Sequence, residues 1–186
     1  MKTTTRTPPV LETARLVLRP FAEQDIEAVL AACQDEEIQR WVPVPAPYTR
    51  ADAEMFVRES CPAGWHDGTM LNLGSFTRDT GALVSSVGVS TGNRQPGIAE
   101  IGYWTAREQR GHGCTAEAVT ALSRWAFEEL GVQRLEWMTA VGNVGSRAVA
   151  RKAGYVMEGT LRSRMVHRGE RLDVWSGALL PSDLPR

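Results

Sequence analysis

Apolar and polar residues follow two different periods along the chain, and the change of period divides it. Leu16, Val17 and Leu18, set between Arg15 and Arg19 and closed by Pro20, predict a short strand. Ile26, Val29 and Leu30 then recur at helical spacing behind Asp25, a residue suited to cap a helix start. Three prolines in the segment 41–47, WVPVPAP, exclude regular structure there, because each fixes φ and removes a donor. Thr49, with Asp52 three residues on, predicts a second helix opened by a capping box, with Met55, Phe56 and Val57 on its apolar face. The first third thus reads as one strand and two helices around a proline-rich loop.

Strand periodicity takes over in the middle. Met70 to Phe76 and Leu83 to Val89, joined by the turn residues DTG at 79–81, predict an antiparallel hairpin, and Ile98 to Thr105 a third strand. A long helix is expected from near Thr115 to Leu130, with Ala118, Val119, Leu122, Trp125 and Ala126 on one face and Gly131 as its stop. A strand at 135–140, a short helix at 146–153 ended by Gly154, and two strands at 155–165 and 171–180 around the RGE turn close the chain. This order predicts an α/β (α+β) fold with one mixed sheet, as a single domain over residues 11–182 behind a loose arm at 1–10.

Composition narrows the function. A net charge of −1 argues against nucleic acid as the partner, because phosphate neutralisation needs a surplus of Lys and Arg. No run approaches the ~18 apolar residues of a membrane span, and the N-terminus MKTTTRTPPV lacks the apolar core of a signal peptide. Three cysteines, Cys33, Cys61 and Cys114, show no CxxC spacing, so a reducing cytoplasm is the expected compartment. His66, His112 and His167 show neither HxH nor HExxH spacing, so no metal site is expected.

The chemistry concentrates in the turn Arg110-Gly111-His112-Gly113-Cys114-Thr115-Ala116, between a strand and a helix. Glycines let main-chain N–H groups turn inward, and a helix start adds unpaired donors and partial positive charge. Such a turn suits a phosphate or diphosphate. It is neither the dinucleotide GxGxxG, since Ala116 stands at the third glycine, nor a Walker loop, since no GK[ST] follows. About thirty residues on stands NVGSRAVARKAGY, from Asn143 to Tyr155.

The strand IGYW, the loop RGHGCTAEA and the segment NVGSRAVARKAGY, in this order and spacing, resemble the GCN5-related N-acetyltransferase superfamily and its ribosomal-protein N-terminal acetyltransferase branch. LETARLVLRPF at 11–21 is similar to that branch's first strand, and the resemblance spans roughly residues 11–180. It implies a three-layer sandwich with a central, mostly antiparallel sheet flanked by helices. It also implies direct transfer of an acetyl group from acetyl-coenzyme A to an amine, without a covalent enzyme intermediate.

Carried over residue by residue, Arg110, Gly111, His112, Gly113, Cys114, Thr115 and Ala116 become the diphosphate loop. Thr115 departs from the family's small residue there, and its hydroxyl could cap the helix or touch a phosphate. Asn143 resembles the asparagine holding the cofactor arm, and Ser146 the serine near its sulfur. Many relatives carry a tyrosine as the acid at the position of Ala150, so Ser146 becomes the expected proton donor, with helix capping as its structural alternative. Arg147, Arg151 or Lys152 could reach the phosphates.

Glu100, opening the strand into the loop, is the expected base, acting through water or by fixing the ammonium. Glu136 on the neighbouring strand is the second candidate, and strands splayed between the two would give the acceptor access. Cys114 lacks a placed histidine to make it a nucleophile. The acidic residues of the first sixty positions form a solvated face or attract a cationic amine, and Trp41 and Trp65 could line an acceptor pocket. An α-amine, roughly one-tenth neutral at pH 7, is easier chemistry than a lysine amine. The acceptor is expected to be a protein N-terminal amine, a lysine, a polyamine or an aminoglycoside-like molecule. A non-catalytic coenzyme A-binding module is the alternative, and a strand edge near the C-terminus could support a homodimer.

Overall fold

A computed structural model describes residues 7–92 and 95–184. Residues 1–6 of the expected N-terminal arm lie outside the described residues, and 7–10 have no regular structure. Eight strands form one open sheet in the order β1-β2-β3-β4-β5-β6-β8-β7. They are β1 (Leu11–Glu12), β2 (Leu16–Arg19), β3 (Met70–Thr77), β4 (Leu83–Ser90), β5 (Ile98–Thr105), β6 (Arg134–Ala140), β7 (Val156–His167) and β8 (Glu170–Leu179). Every neighbouring pair is antiparallel except β5 and β6. The sheet is mixed and mostly antiparallel, as the sequence predicts.

The helices are α1 (Ile26–Cys33), α2 (Glu36–Trp41), α3 (Arg50–Met55), α4 (Cys61–Asp67), α5 (Cys114–Leu130) and α6 (Val144–Lys152). Alternation in the strands supplies two apolar faces. On one, Leu71, Val87, Ile101 and Leu135 pack against Ala118, Val119, Leu122 and Ala126 of α5. On the other, Phe76, Leu83 and Trp104 pack against Ile26 and Val29 of α1, Ile38 of α2 and Ala53 of α3. A register shift after the Ser75–Ser85 pair, with Val84 as the extra residue, brings Leu83 onto this second face opposite Phe76, while the Ser75 and Ser85 hydroxyls satisfy each other at 2.6 Å.

The first third departs from its predicted outline. It holds four helices, not two. Asp35, its side chain accepting the Ile38 N–H, starts α2, which carries too few turns to show a period. The helix opened by the Thr49–Asp52 capping box runs through a π-helical turn, Phe56–Ser60, into α4. Asp25 does not cap α1 by its side chain: its carboxylate accepts the Ala22 N–H and pairs with Arg19 at 2.6 Å, tying β2 to the helical layer. Met55 is 55% exposed, so it is not part of this core. The acidic residues here are largely paired, Glu23 with Arg58 and Glu27 with Arg50.

Leu122 is fully buried at the centre of the α5 contact. Leu122→Ala should lower the unfolding free energy by about 2–5 kcal/mol, read from urea denaturation followed by circular dichroism.

Candidate active site

Glycine shapes the corner between β5 and α5. Gly111 and Gly113 have φ of +83° and +77°, a region that penalises any Cβ, and Gly113 stands at the N-cap of α5. The first helical bond is Glu117 N–H to the Gly113 carbonyl. The N–H groups of residues 111–116 find no protein acceptor among the described residues. A Cβ on Gly111 would enter open space, and one on Gly113 would lie 2.4 Å from the Lys152 Nζ, so an ammonium sits beside the turn. Donors without acceptors, a helix start and a nearby cation make an anion cradle.

Side chains hold the turn from behind. Glu117 accepts the Thr13 hydroxyl at 2.6 Å, the Arg15 main-chain N–H at 3.0 Å and the Arg15 Nε at 2.7 Å, while Arg15 also donates to the His112 carbonyl at 3.0 Å. Partial burial pushes the Glu117 carboxyl up, but Thr13 and Arg15 outweigh it and hold it below the usual carboxylate range. Arg110 donates to Asp35 at 2.6 Å and to the Thr105 carbonyl at 3.3 Å, joining the turn to the start of α2. The Thr115 hydroxyl meets that of Thr105 at 2.7 Å and does not cap α5. His112 is exposed, and the Cys114 side chain is buried in the core.

The sheet opens beside this corner. β5 and β6 share only the register pairs Ile98–Arg134, Ala99–Leu135 and Glu100–Glu136. Beyond them β5 pairs with β4 alone and β6 with β8 alone, which is the expected splay. A cleft of about 510 Å³ lies along the turn, lined by Gly111, Gly113, Thr115 and Ala116. A second, of about 580 Å³, lies toward α2, α3 and the proline-rich loop, with Glu100 and Gly102 on its floor. The two share Trp41, Val42, Tyr103, Trp104, Asn143 and Ser146.

Around the shared wall the polar groups interlock. Asn143 caps α6: its Oδ1 accepts the Ser146 N–H at 3.0 Å, and its Nδ2 donates to Thr139 Oγ1 at 3.1 Å. Capping therefore falls to Asn143 and not to Ser146. The Ser146 Oγ accepts the Trp137 indole N–H at 3.1 Å and donates to the Tyr103 hydroxyl at 3.3 Å, while that hydroxyl donates to the Ser146 carbonyl at 2.7 Å. Burial pushes the Tyr103 pKa upward, so the phenol keeps its proton at neutral pH.

Other predicted residues fall elsewhere. The Glu136 carboxylate accepts Arg134 Nε at 3.2 Å and is not part of either cleft wall. Arg147 lies 4.6 Å over the Trp175 ring and also lines neither cleft. Trp41 lines both clefts, whereas Trp65 is buried edge-on against Trp125. Tyr103, Trp137 and His167 are cleft residues that sequence reasoning left without a role. Ser146 of α6 brings the first two together across the splay, and no local pattern marks them.

A family profile for the acetyltransferase (GNAT) domain matches residues 15–156. The chain belongs to the GNAT acetyltransferase family. It is an N-acetyltransferase, and nothing supports the binding-module alternative. The N-acetyltransferase YoaA of Bacillus subtilis, itself uncharacterized, is 28% identical over 165 residues, covering 89% of this chain and 93% of YoaA. A provisionally assigned ribosomal-protein-serine acetyltransferase from Vibrio cholerae superposes with a TM-score of 0.83 at 28% identity, covering 95% of this chain and all of that one. Mycobacterium smegmatis RimJ, solved with a CoA-disulfide, shares the fold with a TM-score of 0.79 at 21% identity, over 92% of this chain and 84% of RimJ.

The depressed Glu117 pKa carries a sign. Its stabilisation is present above the unfolded value of about 4.3 and is lost as pH falls through the lower folded value. Glu117→Gln should cost about 1 kcal/mol at neutral pH and shrink the drop in urea midpoint between about pH 6 and about pH 3.

Proposed function

We propose that this N-acetyltransferase takes its acetyl group from acetyl-coenzyme A and delivers it to the N-terminal α-amine of a peptide or protein. The observation that carries the reading is the meeting of two clefts at the β5–β6 splay, one edged by unpaired amides and the other by Glu100. The amides of residues 111–116 would bind the diphosphate, with Lys152 adding positive charge. When bound, acetyl-coenzyme A supplies the acetyl group as an activated thioester.

The second cleft suits a cationic acceptor. Among the described residues its walls include Asp52 and Glu100 but no Lys or Arg. An α-amine near pKa 8 is roughly one-tenth neutral at pH 7, so fixing the ammonium and passing one proton to water is sufficient base chemistry. Glu100 fits that role better than Glu136 because it lies in the wall of this cleft and Glu136 does not. Ser146 is the proton donor on the thiol side. Trp137 N–H occupies a lone pair of its Oγ, and the hydroxyl proton, which points to the Tyr103 hydroxyl at 3.3 Å, turns to the departing sulfur and is replaced from water. The ribosomal-protein assignment of the Vibrio cholerae relative supports a polypeptide acceptor. Three free thiols suit a reducing cytoplasm.

Gly113→Glu should abolish acetyl-coenzyme A binding in calorimetry while the circular dichroism spectrum stays native. Lys152→Glu, an exposed charge reversal, should weaken Kd about tenfold without a change in Tm. Unchanged binding in both would end the assignment of this turn to the diphosphate.

Glu100→Gln should lower kcat about a hundredfold or more with acetyl-coenzyme A affinity retained, measured by thiol release at saturating peptide.

A further inference from the structure

The acceptor cleft has a far end that the reaction does not use. There the β7–β8 hairpin reaches the proline-rich loop, and Arg168 clasps it by donating to the Gln39 carbonyl at 2.6 Å and the Val44 carbonyl at 3.2 Å. The clasp sets His167, its neighbour, into the cleft wall. His167 Nε2 is buried and has no hydrogen-bond partner. A buried polar atom left unpaired costs free energy, and a ligand group that pairs with it recovers that cost.

His167 stands well away from the reacting end. Ala140, which leads into Asn143, is in register with Val174, whereas His167 is in register with Glu170. Four residues of β8 between those positions span about 13 Å. A single amino acid with its amine at the Asn143 end of the cleft does not reach that far, but an extended chain of three or four residues does.

We infer that His167 is a specificity-determining residue that hydrogen-bonds the main chain of an extended peptide acceptor two or three residues beyond its reactive amine. The inference rests on the proposed α-amine reaction and goes further, because it requires a polypeptide and gives a length. Between the ends lies a mostly apolar wall, including Val44, Phe56, Met138 and Met165, which suits side chains without positive charge. Gly102 leaves the sheet floor open, since a Cβ there would meet nothing within 4 Å, while the Asn72 side chain covers its neighbour Gly88.

The experiment compares kcat/KM for alaninamide and for di-, tri- and pentapeptide amides beginning with alanine, using the full chain and acetyl-coenzyme A. In the native enzyme kcat/KM should rise about fivefold to tenfold between alaninamide and the tripeptide and then level off. In His167→Ala the tripeptide-to-alaninamide ratio should fall toward one, through a higher KM for the tripeptide at similar kcat. His167→Gln, which keeps a side-chain donor and acceptor, should restore part of the ratio. A native ratio of one, or a ratio unaltered by His167→Ala, overturns the inference. Thiol release with alaninamide reports the reaction itself, so failure of the α-amine reading shows there, and failure of the His167 reading only in the length dependence.

Discussion

The three register pairs that join β5 to β6, and the absence of any after Glu100 and Glu136, are what the rest of the structure turns on. A sheet whose strands stayed paired would wall one helical layer off from the other. Because these strands part, a cleft on the α5–α6 side opens into one beneath α2 and α3, with Tyr103, Asn143 and Ser146 at the junction. The hydrogen bonds that the strands forgo are replaced by side chains. Trp137 of β6 donates to Ser146, Tyr103 of β5 bonds the same residue, and Asn143 fastens Thr139 to the start of α6. The gap is thus braced and keeps its width.

The glycine turn depends on a second brace. Its amides remain available only while the chain holds left-handed conformations at Gly111 and Gly113. Two charged contacts keep that shape from opposite sides. Arg15, oriented by Glu117, grips the His112 carbonyl from the β2 side, and Asp35 grips Arg110 from α2. Asp35 also caps α2, so one carboxylate joins the anion site to the wall of the acceptor cleft. Displacement of Arg110 by a bound anion would therefore be felt in α2.

Much of this is readable in the sequence. The strand patterns in 70–76, 83–89 and 98–105 and the helical period from near 115 to 130 are long enough to declare themselves. The turn at 110–116 was legible because its glycines are required locally, by backbone conformation. The same reasoning missed α2, whose six residues hold less than two turns, and it placed Asp25 at the N-cap of α1, where it stands, but its carboxylate serves Arg19 and the Ala22 N–H instead of α1. Of the three basic residues it offered to the phosphates, Arg147 lies over the Trp175 ring and Lys152 stands beside the turn. Tyr103, Trp137 and His167 were out of reach for one reason: each matters through a partner or a void supplied by a distant segment. Local pattern reports what a residue does to its own backbone, and such residues do nothing unusual to theirs.

The two clefts differ in the kind of atom that lines them. The anion site is built from main-chain nitrogen, whose chemistry is common to every residue type except proline. The acceptor wall is built from side chains on α2, the proline-rich loop and the β7–β8 hairpin. Replacements in those outer segments can retune which amine is admitted and leave the donor half of the reaction intact. Such a scaffold is open to evolutionary drift in its clientele, since its most demanding recognition task falls to the main chain and to the two glycines that aim it.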